Sequence, residues 1–164
     1  MGWITPRTDL DLLYYIAKKR PNYDLIIAGP IEYGFNIEKL SDLRNVIFEG
    51  RIPYERVPEF IRTIDVCIIP HKDSLYSRSM SPLKIFQYIG SGRPIVSTMI
   101  AGVERFKEII NIANNYDDFI EYIDDVLIHD NEDISMRRIE VAKKETWDIR
   151  INEMYNIVAS HIHG

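Results

Sequence analysis

Arg78, Ser79, Ser81, Lys84 and Gln87 fall close together in the run PHKDSLYSRSMSPLKIFQYIGSGRPIVST, and their types suit the binding of an anion. Ser81 is a good N-cap and Pro82 a good first helical residue, so a helix is expected to start here with its free backbone N–H groups facing the preceding loop. Such an end is a ready site for negative charge. Lys84 in the first turn opposes the helix macrodipole, at a cost of roughly 0.3–1 kcal/mol that a bound anion would reverse. Arg78 adds positive charge from the loop. Gln87, three positions after Lys84, shares its face and offers an amide to a sugar hydroxyl. The plainer alternative is that Ser81 and Pro82 only start a helix while Arg78 and Lys84 are solvated.

The whole chain gives this cluster no help. Its 164 residues carry a net charge of −5 and an isoelectric point near 5.4, with Lys and Arg scattered among acidic residues. No footprint for a polyanion results, so nucleic acid is not an expected partner, and any bound anion must be held by local donors. His71 follows an apolar run and could reach the same crevice as a neutral donor or partial cation, or simply sit at the surface. His129, His161 and His163 lack ligand spacing, so no metal site and no metal cofactor is expected. Cys67, the only cysteine, cannot form an internal disulfide and reads as core. No basic start precedes an apolar stretch, and no run approaches the roughly 18 residues of a membrane span. A cytoplasmic location is the expectation, with the inner membrane surface the expected place of a longer, full-length enzyme.

Short apolar runs at 24–29, 45–50, 65–70 and 94–98 read as strands, with fragments at Gly2–Ile4 and Ile109–Ile112. Helices are expected between them. Thr8 is expected to cap the first, which carries Leu10, Leu13, Ile16 and Ala17 on one face; others follow at Val57–Thr63 and Leu83–Ile89. In Tyr116–Leu127, Phe119, Ile120, Ile123 and Leu127 should face inward. Ile134–His161 reads as helical, with Trp147 placed to pack that segment across the sheet. The glycines of IGSGRP close a helix and precede a strand, the reverse of a dinucleotide fingerprint, so Gly90 or Gly92 is expected as a left-handed cap. Alternating strands and helices predict one α/β domain over 1–164, a doubly wound parallel sheet that binds ligands beyond its strands' carboxyl ends.

The segments DLDLLYYIAKKRPNYDLIIAGP, NVIFEGRIPYERVPEFIRTIDVCIIPHK, SPLKIFQYIGSGRPIVST and TWDIR, in that order, resemble the C-terminal domain of retaining GT-B glycosyltransferases, especially bacterial enzymes of exopolysaccharide and cell-wall polymer assembly. The resemblance implies a Rossmann-like fold and a nucleoside-diphosphate-sugar donor. It places the diphosphate near Ser81 and Lys84, and the base near Arg51 and Ile52. A glutamate that usually holds the ribose corresponds to Gln87, and one that contacts the donor sugar corresponds to Ser79. Arg7 resembles, loosely, the basic residues after the family's first C-domain strand, and Tyr54 is expected to pack in the next helix. The acceptor domain would be an N-terminal partner domain that this chain lacks, so the chain alone should bind donor without turning it over.

Two other functions fit the same fold. A sugar-nucleotide 2-epimerase would need acid/base groups near the sugar, and Ser79 and Gln87 supply no carboxylate. A non-enzymatic doubly wound signalling module would need acidic residues at the strand ends, where the loop after Pro70 is basic.

Overall fold

A computed structural model describes residues 1–74, 77 and 83–162. In chain order it contains α1 (Leu10–Lys19), β1 (Leu25–Ala28), α2 (Glu38–Ser41), β2 (Val46–Gly50), α3 (Val57–Arg62), β3 (Cys67–Ile69), α4 (Lys84–Ser91), β4 (Ile95–Thr98), β5 (Asn111–Ala113), α5 (Tyr116–His129), α6 (Glu132–Lys143) and α7 (Trp147–Ile162).

Every ladder between these strands is parallel, as alternating strands and helices require. The side chains of β3 and β4 alternate between two apolar layers. Cys67, Ile69 and Ile95 join α3 and α4 on one face. Val66, Ile68 and Val96 join α1 and α5 on the other. A third layer sets Leu25 and Ile27 of β1 against Leu13 and Ala17 of α1 and Leu40 of α2. Burial on both faces explains why these strands read as continuous apolar runs.

The ladders form two sheets, β1-β2 and β3-β4-β5. Between them runs the start of the chain. Gly2 donates its N–H to the Ala28 carbonyl at 2.8 Å and Ile4 to that of Pro30 at 2.9 Å; on the other side Asp9 donates to the Pro70 carbonyl at 2.8 Å. The approach of Gly2 to β1 needs glycine at position 29, where φ is +135° and a Cβ would overlap the Gly2 carbonyl.

Several local expectations are corrected. The N-cap of α1 is Asp9, whose carboxylate accepts from Leu12 N–H at 3.0 Å, while Thr8 pairs with His71. A carboxylate is the stronger acceptor, and Tyr116 fixes it by donating its hydroxyl to both Asp9 oxygens at 3.0 Å. Strand β5 starts at Asn111 because Ile109 and Ile110 still donate to the Phe106 carbonyl in a turn. On α5, Val126 is buried and Leu127 exposed, a rotation of one position along the helix. The Ile134–His161 stretch is two helices, α6 and α7. Trp147 is 72% exposed and does not pack across the sheet; with Ile151, Met154, Tyr155 and Val158 it forms an exposed apolar stripe along one face of α7. Gly92 is the left-handed cap of α4, at φ +74°.

Candidate functional site

At the carboxyl ends of the strands, the loop from Thr5 to Asp9 folds over the end of β3. Thr8 forms an antiparallel bridge to His71, and Lys72 donates its N–H to the Arg7 carbonyl at 2.8 Å. The Arg7 guanidinium is held from its own loop, Nε donating to Thr5 Oγ1 at 3.2 Å. The Thr98 hydroxyl ties the ends of β3 and β4 together. It donates to the His71 carbonyl at 2.8 Å and accepts from His71 N–H at 3.2 Å.

Lys84 is the first residue of α4, and its Nζ turns back to within 3.5 Å of His71 Nε2. The ammonium lies beside the backbone of Gly2, where a Cβ would stand in ordinary contact with Nζ at 3.5 Å. Arg7, His71, Lys84 and the amino group of Met1 therefore share one half-buried corner at the strand ends.

This corner disfavours its own protons. Burial, then the Arg7 charge, pushes Lys84 down to about 8. Burial, then Lys84, Arg7 and the Met1 amino group, pushes His71 down to about 4. The Met1 amino group falls to about 5, through burial first and Lys84 second. His71 is thus neutral at physiological pH, and Nε2 can accept from Lys84. A bound anion would relieve the whole set.

The sequence-predicted residues divide accordingly. His71 and Lys84 come together at the site. Ile52 is partly buried and packs on the layer that holds Val57 and Ile61, whereas Arg51 is exposed in the loop after β2. Gln87 is exposed on α4. Tyr54 is 78% exposed, which corrects its expected packing role: it opens a short 3-10 turn, Tyr54–Arg56, that contributes no buried residue. Arg78, Ser79, Ser81, Pro82 and His163 lie outside the described residues. The sequence reading missed Thr5, Thr8 and Asp9 as the frame of the site. Their signal was the polar string TPRTD directly before an amphipathic helix. Cys67 is buried as expected, and burial pushes its thiol up to about 12.

His71 makes acid stability a direct test of this arrangement. Its folded pKa lies below the unfolded value of 6.5, so its neutral form imposes no penalty above that pH. Stability is lost as pH falls from about 6.5 towards about 4, up to about 3 kcal/mol in total. Denaturant melting at pH 7 and pH 4.5 should show a smaller acid loss for His71→Asn than for the parent, by about 1–3 kcal/mol. Equal losses would mean that His71 titrates freely in the folded protein.

The glycosyl transferases group 1 family model matches residues 10–129. The putative teichuronic acid biosynthesis glycosyltransferase TuaH of Bacillus subtilis (strain 168) is 25% identical over 100% of this chain and 43% of its own length. The crystal structure of Anabaena HepE in complex with UDP and glucose superposes with a TM-score of 0.70 at 15% identity, covering 97% of this chain and 47% of that one. WaaG, a glycosyltransferase involved in lipopolysaccharide biosynthesis, superposes with a TM-score of 0.56 at 16% identity, covering 90% of this chain and 43% of that one. The chain spans less than half the length of each of these proteins. Among the described residues no helix is long and apolar enough to cross a membrane. With a parallel α/β architecture that superposes on GT-B enzymes, and with the family pattern running from α1 to the end of α5, the chain belongs to the glycosyl transferases group 1 family.

Proposed function

We propose that this chain is the donor-binding half of a glycosyltransferase that transfers a sugar from a nucleoside diphosphate to a polysaccharide or lipid-linked acceptor on the cytoplasmic side of the membrane. The observation that carries the reading is the corner where the cations Arg7 and Lys84 meet beside neutral His71, a local positive charge in an acidic protein. Lys84 sits where it can hold the diphosphate, and the same charge would stabilise the leaving diphosphate as the bond from the anomeric carbon to the phosphate oxygen breaks. The complexes of HepE with UDP and glucose and with UDP-glucose support this ligand class. The acceptor is left to a second domain, as the shared length with TuaH suggests.

No divalent metal is required in this reading, because side chains already provide the cations. The test is a thermal-shift panel of UDP, GDP and UDP-glucose at millimolar concentration, with and without a chelator. A ligand at about ten times its Kd stabilises by about 1.4 kcal/mol, which raises Tm by about 3–6 °C in a chain of this size. The expected result is a shift of that order, unaffected by the chelator. No shift with any of the three ligands overturns the donor-site reading; a shift abolished by the chelator and restored by magnesium overturns the metal-free part of it.

A further inference from the structure

Two neighbouring residues could cap α1, and each would place the preceding loop differently. Thr8 and Asp9 both carry an oxygen that can accept from the free N–H groups of a helix's first turn. The cap is Asp9, 7% exposed and extended at φ −79° and ψ 90°. That choice leaves the Thr8 hydroxyl to accept from Thr5 N–H at 3.3 Å and the Thr8 backbone to bridge His71. With Thr8 as the cap, Asp9 would take helical angles, and the chain before it would swing away from the Pro70–Lys72 backbone on which the loop now rests.

The donor that favours Asp9 comes from α5. Tyr116 opens that helix directly after its own cap, Asn115, and donates its hydroxyl to both Asp9 oxygens at 3.0 Å. A bond to a carboxylate is about twice as strong as one between neutral groups. Burial, then Asp9, pushes the Tyr116 phenol up to about 12, so it keeps its proton at physiological pH. The ring is seated against Tyr15 of α1, with centroids 5.6 Å apart, and the Tyr15 hydroxyl is spent on Asp117 at 2.6 Å. One register of Thr5–Asp9 is thereby held from a neighbouring helix. It is the register in which the Arg7 carbonyl accepts from Lys72 N–H at 2.8 Å and the Arg7 side chain shares the corner with Lys84 and His71.

We propose that Tyr116 is a positioning residue for the donor diphosphate: by holding Asp9 as the cap of α1 it sets the register of Thr5–Asp9, and with it the place of Arg7 beside Lys84. For its ligand this inference rests on the donor-site reading; the register of the loop can be read without one. His71 is the internal reporter. It is faced by Lys84 from α4, Arg7 from the loop and the Met1 amino group, and burial followed by these charges keeps its ring down at about 4. A loop that shifts uncovers the ring and withdraws Arg7, and both changes raise that value towards 6.5.

The test compares Tyr116→Phe, which keeps the ring and removes the hydroxyl, with Tyr15→Phe, which removes a hydroxyl bond between the same two helices but leaves Asp9 its partner. In Tyr116→Phe the His71 ring, followed by NMR in the free protein, should titrate at least about one pH unit higher than in the parent. UDP should bind about three- to thirtyfold more weakly to that variant in calorimetric titration at pH 7. Tyr15→Phe should match the parent in both measurements. In an Arg7→Met background, Tyr116→Phe should change UDP affinity less than about twofold, because its effect runs through Arg7. An unmoved His71 titration or unchanged UDP affinity in Tyr116→Phe, equal effects of the two tyrosine variants, or an undiminished effect in the Arg7→Met background would each overturn the proposal. A parent that binds no UDP would instead overturn the donor-site reading, and the His71 titration would still decide whether Tyr116 sets the loop.

Discussion

Arg138→Met should cost about 3–5 kcal/mol of stability in denaturant melting, a large share of what a domain of this size possesses. Arg138 is 3% exposed on α6 and uses its guanidinium as a three-way latch. Nε donates to the Ile109 carbonyl at 3.0 Å, Nη1 to the Gly92 carbonyl at 3.0 Å, and both terminal nitrogens to the Asp130 carboxylate at 2.5 and 3.1 Å. The substitution keeps most of the buried stem but leaves two carbonyls without this donor and a largely buried carboxylate without its counter-charge. Removing one partner of such a pair is far more costly than replacing both. Adding Asp130→Asn to Arg138→Met should therefore restore part of the loss. Arg138→Lys should recover less than half, because one ammonium cannot reach all three acceptors with the geometry of a planar fork. A loss under about 1 kcal/mol for Arg138→Met would show that α6 is held by its apolar contacts alone.

That latch was invisible in the sequence, where Arg138 stands beside Arg137 in a charged helix and nothing distinguishes the two. Its meaning comes from tertiary packing, which sets α6 across the end of α4 at Gly92. By contrast, β1, β3 and β4 were legible because they are buried on both faces and so read as unbroken apolar runs. Gly92 was legible because a helix must end before PIVST can extend. Lys84 was legible as a charge on the wrong end of a helix. His71 was legible as a residue at the end of the same apolar run, but Arg7 only loosely, since it lies far from Lys84 in the chain and meets it because Thr5–Asp9 crosses the end of β3. The preference of Asp9 over Thr8 as the cap had the same origin: Tyr116, contributed by α5, orients the carboxylate. Helix α7 gave a helical period with an apolar stripe at Trp147, Ile151, Met154 and Val158, and period alone did not say that this stripe would stay exposed.

Lys84→Met should move affinity and stability in opposite directions. In the free protein the ammonium is desolvated and crowded by Arg7, which holds it down to about 8. The sign follows from linkage. The folded pKa lies below the unfolded value of 10.5, so the penalty is absent above that pH, grows as pH falls, and is complete below about 8. It amounts to at most about 3 kcal/mol at pH 7, from roughly 1.4 kcal/mol per pKa unit. Met fills similar space without a charge, so the variant should be as stable as the parent or more stable at pH 7, and the difference should vanish between pH 8 and 10.5. In the complex the same ammonium would make a charge-assisted hydrogen bond to the diphosphate, worth about 1.5–3 kcal/mol, so UDP should bind about ten- to a hundredfold more weakly to Lys84→Met. The parent should also lose UDP affinity as pH rises above about 8, where free Lys84 sheds its proton, and the variant should lack that step. Calorimetric titration with UDP at pH 7 and pH 9, paired with denaturant melting of the same samples, measures all three effects. Unchanged affinity would move the anion site away from Lys84. Weaker binding with a matching loss of stability would instead assign Lys84 a structural role, because only a ligand-directed cation improves binding while burdening the empty fold.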